Sequence, residues 1–217
     1  KGTIVAIVAG TKSETVINHL QRISSYKRNQ VIEITLDMAN SMKLIARKVF
    51  PKAKQVTDRF HVQKLALEAV QEIRIKLKWE ALDRENEAIT QAKLNKTKFI
   101  TTDFSNGDTA KQLLTRSRFL LYKSQYKWSE NQKERAVILF KEYPELKEAY
   151  LLSQQLRNIY NNNTDKAIAI TKLAHWYNNV ENLGIKSFNT IMNTIKTNYD
   201  SILNYFDQKY KCFSGIF

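Results

Sequence analysis

The pattern of hydrophobic and polar positions changes about a third of the way along the chain. Residues 1 to about 62 alternate short apolar runs with helical stripes, and the residues after them follow a helical period. The first run, Thr3–Ala9, is apolar and β-branched, which is typical of a strand covered on both faces. The pattern therefore predicts an α/β segment followed by an all-α segment.

The α/β segment predicts a β-α-β-α-β order. A helix after Thr3–Ala9 is followed by a second strand at Val31–Leu36, a helix at Met38–Val49 and a third strand at Ala53–Thr57. Crossovers between parallel strands are right-handed and carry helices of this kind. We therefore expect a mostly parallel sheet.

The rest of the chain predicts helices joined by short polar loops. Apolar positions at helical spacing run from His61 to about Leu94, and Asn95–Asp108 follows as a polar connector. Ser129 with Gln132 resembles a capping box. Further helices are predicted at Thr109–Lys123, Ser129–Tyr143, Pro144–Tyr160, Asp165–Asn179 and Ile185–Phe206.

Composition makes a polyanion the expected partner. The net charge of +14 arises from 35 Lys and Arg against 21 Asp and Glu, and such an excess favours nucleic acid or an anionic membrane surface. No apolar run reaches the roughly 20 residues of a membrane helix. The single cysteine, Cys212, excludes an internal disulfide and fits a reducing cytoplasm. A basic protein without a polyanion partner stays open as the alternative.

Asp37 is the first candidate for chemistry, because it directly follows the predicted strand Val31–Leu36. Open α/β sheets place ligands at the carboxyl ends of strands. Phosphodiester chemistry needs carboxylates that hold Mg²⁺ or Mn²⁺, since these cations prefer oxygen ligands. Asp37 could equally cap the helix at Met38–Val49, and the two roles are compatible.

A second polar cluster, Asp58-Arg59-Phe60-His61, follows the third predicted strand. Asp58 could cap the long helix, and Arg59 could bind a phosphate with two nitrogens. His61 could be a ligand or a proton carrier, although a lone histidine is more often a structural hydrogen-bonding group. The sequence has no CxxC or HxxxH zinc spacing, no glycine-rich phosphate loop and no GxSxG elbow.

Aromatic and basic residues alternate within the helical segment. Exposed rings can stack on bases while cations follow the backbone of a nucleic acid. The helical spacing favours the other interpretation, in which Phe119, Trp128 and Phe140 are core residues of a helix bundle. The series consists of Arg118, Phe119, Tyr122, Lys123, Tyr126, Lys127 and Trp128.

The run ITLDMANSMKLIARKVFPKAKQVTDRFHVQKLALEAVQEIR resembles the core of bacterial insertion-sequence transposases with a DDE catalytic domain. The later runs NGDTAKQLLTRSRFLLYKS, KWSENQKERAVILFKEYPELKEAY and SFNTIMNTIKTNYDSILNYFD resemble the same group. The resemblance implies a partial RNase H-like α/β sheet followed by a large helical insertion. It makes Asp37 the second of three catalytic acidic residues and a ligand of Mg²⁺ or Mn²⁺, with Asp58 and His61 as accessory residues.

The resemblance also implies a division of the chain and a set of partners. Residues 1–64 would be a partial catalytic core, 65–183 the helical insertion, and 184–217 a helix that leads back to the core. The partners would be DNA at transposon ends and targets, with a homo-oligomer as the intact form and a nucleoid-associated place in the bacterial cytoplasm. The candidate phosphate contacts are Arg59, Lys64, Arg74, Arg116 and Arg118.

This sequence departs from the family pattern at both ends. The first catalytic Asp is expected before Lys1, together with a DNA-end-binding domain, and the catalytic Glu is expected after Asp207. The run from Gln208 to Phe217 resembles a truncated or frameshifted tail. We therefore expect a transposase fragment that is inactive as an isolated chain. Two alternatives remain, a non-catalytic basic helical module that binds nucleic acid and a decayed product that does not fold stably.

Overall fold

The structure, a computed structural model, describes Ile4 and residues 6–163 and 165–207. Two strands and eleven α-helices are assigned within these ranges. The strands are β1 (Glu33–Leu36) and β2 (Lys54–Thr57). The helices are α1 (Ser13–Leu20), α2 (Ser25–Arg28), α3 (Asn40–Val49), α4 (Arg59–Leu94), α5 (Ala110–Arg116), α6 (Arg118–Tyr122), α7 (Glu130–Glu142), α8 (Pro144–Asn161), α9 (Lys166–Leu183), α10 (Lys186–Thr197) and α11 (Tyr199–Leu203).

The described residues fall into two compact units. The first unit comprises residues up to 63, residues 158–177 and residues from 190 onward. The second comprises residues 64–157 and 178–189. The mixed α/β and helical class is therefore confirmed, while the RNase H-like assignment and the division at 64 and 183 stay predictions.

The first unit contains a parallel strand pair. β1 and β2 pair in register from Glu33 with Lys54 to Leu36 with Thr57. The connection between them is α3, which packs on α1 through a buried cluster of Ile17, Ile45 and Val49. Because α3 joins two parallel neighbouring strands, this segment is the β-α-β crossover that the sequence predicts.

The end of the described chain packs against β2 within the first unit. The Oγ atoms of Ser201 and Thr57 are 2.8 Å apart, and Nδ2 of Asn204 donates to the carbonyl of Gln55 at 2.9 Å. Nζ of Lys54 lies 2.5 Å from Oδ2 of Asp207. One of these bonds takes a backbone carbonyl of β2 and the other two pair with its side chains, so this segment is held against β2.

The second unit is helical and has a leucine-rich core. Helix α4 continues through it, and the connector after α4 turns at Gly107, whose φ of +74° favours glycine. Oε1 of Gln132 accepts from the N–H of Ser129 at 3.3 Å, one half of the capping box that the sequence predicts. Fully buried core residues include Leu113, Leu114, Leu120, Leu121, Leu139 and Leu146.

The first predicted strand is wrong for its described residues. Ile4 and Ala6–Ala9 have no strand assignment, and Ile4 and Ile7 are 75% and 87% exposed. An apolar β-branched run becomes a strand only where a neighbouring strand takes its hydrogen bonds. Thr3 and Val5 of the predicted strand lie outside the described residues.

Two predicted helices are each divided in the structure. The helix predicted at Thr109–Lys123 breaks at Ser117, whose Oγ donates to the carbonyl of Leu113 at 2.6 Å. The helix predicted at Ile185–Phe206 breaks at Asn198, whose Nδ2 donates to the carbonyl of Thr194 at 2.7 Å. Side chains that bond a carbonyl four residues back compete with the backbone and bend or end helices.

Candidate functional site

Asp37 and Asp58 occupy neighbouring backbone positions at the carboxyl ends of the two strands. Leu36 and Thr57 are the last register partners of β1 and β2, and each acidic residue comes directly after one of them. The N–H of Asp58 donates to the carbonyl of Leu36 at 2.9 Å, which continues the pairing by one step. Ligands of open α/β sheets bind at this edge.

The backbone holds both carboxylates in the same way. Oδ1 of Asp37 accepts from the N–H of Ala39 at 3.0 Å, and Oδ1 of Asp58 accepts from the N–H of Phe60 at 2.9 Å. Each bond is an Asx turn, which orients the side chain. Asp58 precedes α4 directly, so the predicted cap is confirmed. The bond of Asp37 ends at Ala39, before the first residue of α3, and so it stabilises the turn that enters the helix.

His61 lies beside the carboxylate of Asp58. Its Nδ1 is 3.5 Å from Oδ2 of Asp58, which is long for a hydrogen bond, and its ring meets Phe60 edge-on with centroids 5.6 Å apart. The side chains of His61 and Asp58 are 41% and 39% exposed. This partly open position is compatible with a structural role and with a ligand role, so the two interpretations of His61 stay open.

Arg59 contacts an aromatic cluster in the first unit. Its Nη1 donates to the hydroxyl of Tyr205 at 3.3 Å, and the ring of Tyr205 packs on those of Tyr160 and Phe206 at centroid distances of 5.2 and 5.3 Å. Burial raises the pKa of Tyr160, and the charge of Arg59 opposes part of that rise. Arg59 therefore anchors the start of α4, and a phosphate contact by this residue stays a prediction.

The sheet edge offers part of the donor set of a divalent cation. Asp37 and Asp58 each have a second carboxylate oxygen besides the one bonded to the backbone, and Mg²⁺ prefers such oxygens. Among the described residues, no group of three or more His, Cys, Asp and Glu side chains could hold a metal ion. A metal-binding role for Asp37 and Asp58 therefore stays a prediction.

Three of the predicted phosphate contacts in the second unit have exposed side chains. Lys64 is 54% exposed, with its Nζ 3.6 Å from Oε1 of Glu68. Arg116 is 53% exposed and donates through Nη1 to Oδ1 of Asp108. Arg118 is exposed, and its guanidinium carbon lies 5.6 Å from the centroid of the Phe119 ring. The positions of these cations allow contact with an anionic partner.

The prediction that Arg74 contacts phosphate is wrong. Arg74 is 6% exposed; its Nε donates to Oε1 of Gln71 at 2.7 Å and its Nη1 to the carbonyl of Leu114 at 2.9 Å. Burial, followed by the charge of Arg118, lowers the pKa of the Arg74 guanidinium, and Tyr122 opposes this shift. The sequence places Arg74 close to Lys76 and Lys78, but its burial and its bond to Leu114 of α5 make the residue structural.

Asp108 is a buried acidic residue that sequence reasoning missed. Its side chain is 1% exposed and accepts from Nη1 of Arg116 and, at 2.9 Å, from Nε of Arg135. Burial acts to raise the pKa of Asp108, but the hydrogen bonds and charges of Arg135 and Arg116 outweigh it and hold the pKa below its usual range. Its position directly after the Asn106-Gly107 turn was the available signal.

The aromatic series is divided between core and surface. Trp128 is half-buried and packs on Phe140 and Tyr150 at centroid distances of 6.2 and 5.6 Å, which agrees with its expected core role. Phe119 is 66% exposed, so the core interpretation is wrong for this residue. Tyr126 is 79% exposed. The period of 3.6 residues does not run through this series, because α5 ends at Arg116 and α6 ends at Tyr122.

The comparisons with known proteins identify the family. The chain matches, over residues 1–215, the profile of a family described as Transposase, namely the ISL3 group of DDE transposases. No curated protein and no solved structure matches the chain. The match covers nearly all of the sequence, so the chain belongs to this transposase family and the resemblance to insertion-sequence transposases is confirmed.

Membership of this family implies DNA as the partner and transposition as the process. Separately, no helix within the described ranges combines the length and the apolar character needed to cross a membrane. The family match assigns no role to a single residue. The roles of Asp37, of the accessory residues and of the cations are therefore argued below from their positions.

Proposed function

We propose that this chain contributes to an enzyme that cleaves and joins DNA at insertion-sequence ends by a metal-dependent DDE mechanism. The observation that carries the proposal is the position of Asp37, directly after β1 in a parallel pair, with Asp58 at the neighbouring position after β2. Family membership supplies the reaction class. The RNase H-like sheet of such enzymes remains part of the proposal.

Asp37 would act as a metal ligand, with Asp58 and His61 as accessory groups. Bound Mg²⁺ or Mn²⁺ would supply charge to polarise a phosphate and to activate water or a 3′ hydroxyl. The Asx turns orient both carboxylates at the strand ends. In-line attack on phosphorus requires metal ligands that are held in a fixed position.

The 217-residue chain alone is proposed to bind DNA without cutting it. Of the three catalytic carboxylates that a DDE mechanism uses, the proposal places one, Asp37, among the residues of this chain. One carboxylate with an accessory neighbour cannot form a two-metal site. The exposed cations Lys64, Arg116 and Arg118 would provide salt-sensitive attraction to phosphates.

The second candidate function is a non-catalytic nucleic-acid-binding module. The net charge of +14 and the exposed cations of the second unit favour it, because they need no metal to attract DNA. This module would bind DNA equally well with or without a divalent cation and with or without the Asp37 carboxylate. The two functions therefore differ in their dependence on Asp37.

The discriminating experiment measures binding of a labelled DNA duplex by fluorescence anisotropy at constant ionic strength. Mg²⁺ is expected to strengthen binding by the wild-type chain more than binding by Asp37→Asn, because the Asp37 carboxylate would hold the ion and the ion would supply positive charge for a phosphate. Asp83→Asn, which removes one exposed carboxylate on α4, is the matched control and should behave as wild type. Equal Mg²⁺ responses in all three chains would favour the non-catalytic module.

A cleavage assay tests the activity of the isolated chain. Supercoiled plasmid carrying insertion-sequence ends is incubated with the chain and Mg²⁺ or Mn²⁺, and no nicking is expected. Metal-dependent nicking that Asp37→Ala abolishes would show that this chain suffices for catalysis.

Two further measurements test the predicted assembly and location. Light scattering of the same sample checks the predicted homo-oligomer. Imaging of a tagged chain checks its cytoplasmic, nucleoid-associated location.

A further inference from the structure

A short segment of the second unit presents aromatic rings and cations on its surface. The segment runs from Arg118 to Lys127 and includes α6 and a 3₁₀ turn at Gln125–Lys127. Phe119 is 66% exposed, Tyr122 37% and Tyr126 79%. We refer to the exposed residues Arg118, Phe119, Tyr122, Lys123, Tyr126 and Lys127 as the aromatic platform.

Two side chains of α8 fix the backbone of this segment. Arg157 donates to the carbonyl of Tyr122 at 2.9 Å and to Oγ of Ser124 at 3.1 Å. The hydroxyl of Tyr150 donates to the carbonyl of Lys123 at 2.9 Å. The last carbonyls of a helix have no partner within the helix. Arg157 and Tyr150 supply donors for the carbonyls of Tyr122 and Lys123. The surface side chains are therefore carried on an anchored backbone.

Two further donors complete the support. Nε1 of Trp128 donates to the carbonyl of Leu120 at 2.8 Å, and Nε2 of Gln71 donates to the carbonyl of Arg118 at 3.4 Å. Beneath the platform, Trp128 packs on Phe140 and Tyr150. Rings held on a rigid support lose little conformational entropy when a ligand binds, which makes stacking more effective.

The charge of the platform has one sign. No Asp or Glu occurs between residues 109 and 129, and the platform itself carries the cations Arg118, Lys123 and Lys127. The guanidinium of Arg118 lies 5.6 Å from the Phe119 ring centroid, and Nζ of Lys127 lies 5.7 Å from the Tyr126 ring centroid. Each exposed ring at the two ends of the segment thus has a cation next to it.

The geometry points to single-stranded DNA as the ligand of the aromatic platform, with unpaired bases stacking on Phe119, Tyr122 and Tyr126. Cations alone would suffice for a duplex, whose bases are already stacked and covered. Exposed rings beside cations match a ligand that offers both a free base face and a phosphate. This inference rests on the proposed DNA-processing function and names the form of DNA that this surface recognises.

The test compares a fluorescein-labelled 12-nucleotide dT strand with a 12-base-pair duplex, using the full 217-residue chain. Phe119→Ala with Tyr126→Ala should weaken binding of the single strand about 5- to 30-fold and leave duplex binding within about 2-fold, as expected for lost base stacking. Phe119→Tyr with Tyr126→Phe keeps both rings and should keep single-strand affinity. Tyr26→Ala removes an equally exposed ring from the first unit and is the matched control.

A strand that carries 2-aminopurine adds a readout for stacking itself. Its fluorescence should be quenched on binding to the wild-type chain and less quenched with the double alanine variant. Equal single-strand affinity and equal quenching in the two chains would overturn the inference. So would a loss of self-association in the double alanine variant without any effect on the single strand, since the platform would then be an interface between copies.

The outcome separates this inference from the proposed function. Salt-sensitive duplex binding that persists while the ring variants have no effect on the single strand defeats only the inference. A wild-type chain that binds neither DNA form defeats the proposed function as well. Folding of every variant is checked by circular dichroism, and the ring-preserving variant provides the comparison if the alanine variant melts early.

Discussion

Asp37 and Asp58 occupy equivalent positions after two paired parallel strands, and each carboxylate accepts a hydrogen bond from the N–H two residues further on. The equivalence follows from the pairing, because the register places the next residue of each strand at the same edge. It explains how one short crossover places two acidic residues at the same edge of the strand pair. The two residues nevertheless differ, since only Asp58 directly precedes a helix.

This difference predicts unequal effects on stability. Asp58→Ala removes the N-cap of α4 and is expected to lower the free energy of unfolding by about 1 kcal/mol. Asp58→Asn keeps a side-chain acceptor and should lower the free energy of unfolding by only about 0.3 kcal/mol. Urea denaturation followed by circular dichroism at 222 nm measures both. Equal losses for the two variants would show that the charge, rather than the cap, stabilises this position.

The buried cluster around Asp108 predicts a pH dependence. The pKa of Asp108 is lower in the folded chain than its ordinary value of about 3.9. A depressed pKa contributes stability that is present above the unfolded pKa and is lost as the pH falls through the folded pKa. Asp108→Asn should therefore cost about 2 kcal/mol near neutral pH, from lost charged hydrogen bonds to Arg135 and Arg116.

The measurement is urea denaturation at pH 7, 5 and about 3, the lowest being below the ordinary Asp pKa. The difference in unfolding free energy between wild type and Asp108→Asn should narrow as the pH falls. Asp103→Asn is the control, because Asp103 is exposed in the same connector. A difference that stays constant with pH would contradict the assigned role of the Asp108 carboxylate.

Arg74 and Arg118 predict opposite responses, although both lie on helices in the second unit. Arg74→Met removes buried hydrogen bonds to Gln71 and Leu114 and should lower the unfolding free energy by about 2 kcal/mol. Arg118 is exposed, so Arg118→Gln should change the unfolding free energy by less than about 0.5 kcal/mol. It should weaken DNA binding and reduce the salt slope by about one, as expected for one phosphate contact.

Anisotropy titrations at three salt concentrations and urea denaturation together test this pair. Arg74→Met, measured below its melting temperature, should keep the wild-type salt slope. A reduced salt slope of DNA binding for Arg74→Met, with an unchanged slope for Arg118→Gln, would show that Arg74 rather than Arg118 contacts DNA. Both residues are arginines and differ in burial, so the comparison tests whether exposure determines which arginine contacts DNA.

The sequence predicts well where a local rule decides the structure. The strands around Asp37, the start of α4 at Arg59 and the cap at Asp58 follow from apolar runs, periodicity and capping preferences within a few residues. The strand predicted at Thr3–Ala9 is absent from the described residues, since strand formation depends on a partner that periodicity does not reveal. Local pattern thus locates the acidic edge but not the extent of the sheet.

The basic and aromatic residues show the opposite limit. Arg74 and Arg118 have the same chemistry in sequence, but Arg74 is buried and bonded to Gln71 and Leu114, whereas Arg118 is exposed. Helical spacing predicts Phe119 in the core, but the helix is interrupted at Ser117 and the ring is 66% exposed. Tertiary packing decides which of these side chains are buried, and a single sequence carries no direct record of it.

The support beneath the aromatic platform gives the last prediction. Tyr150→Phe keeps the packing with Trp128 and removes the hydroxyl that donates to the carbonyl of Lys123. The lost bond should lower the free energy of local opening by about 1 kcal/mol, or roughly 5-fold in the open population. Limited trypsin digestion should then cleave after Lys123 and Lys127 faster than in wild type, while cleavage after Lys98 in the connector stays unchanged. A matching rise at Lys98 would indicate general destabilisation and contradict a local role for the Tyr150 hydroxyl.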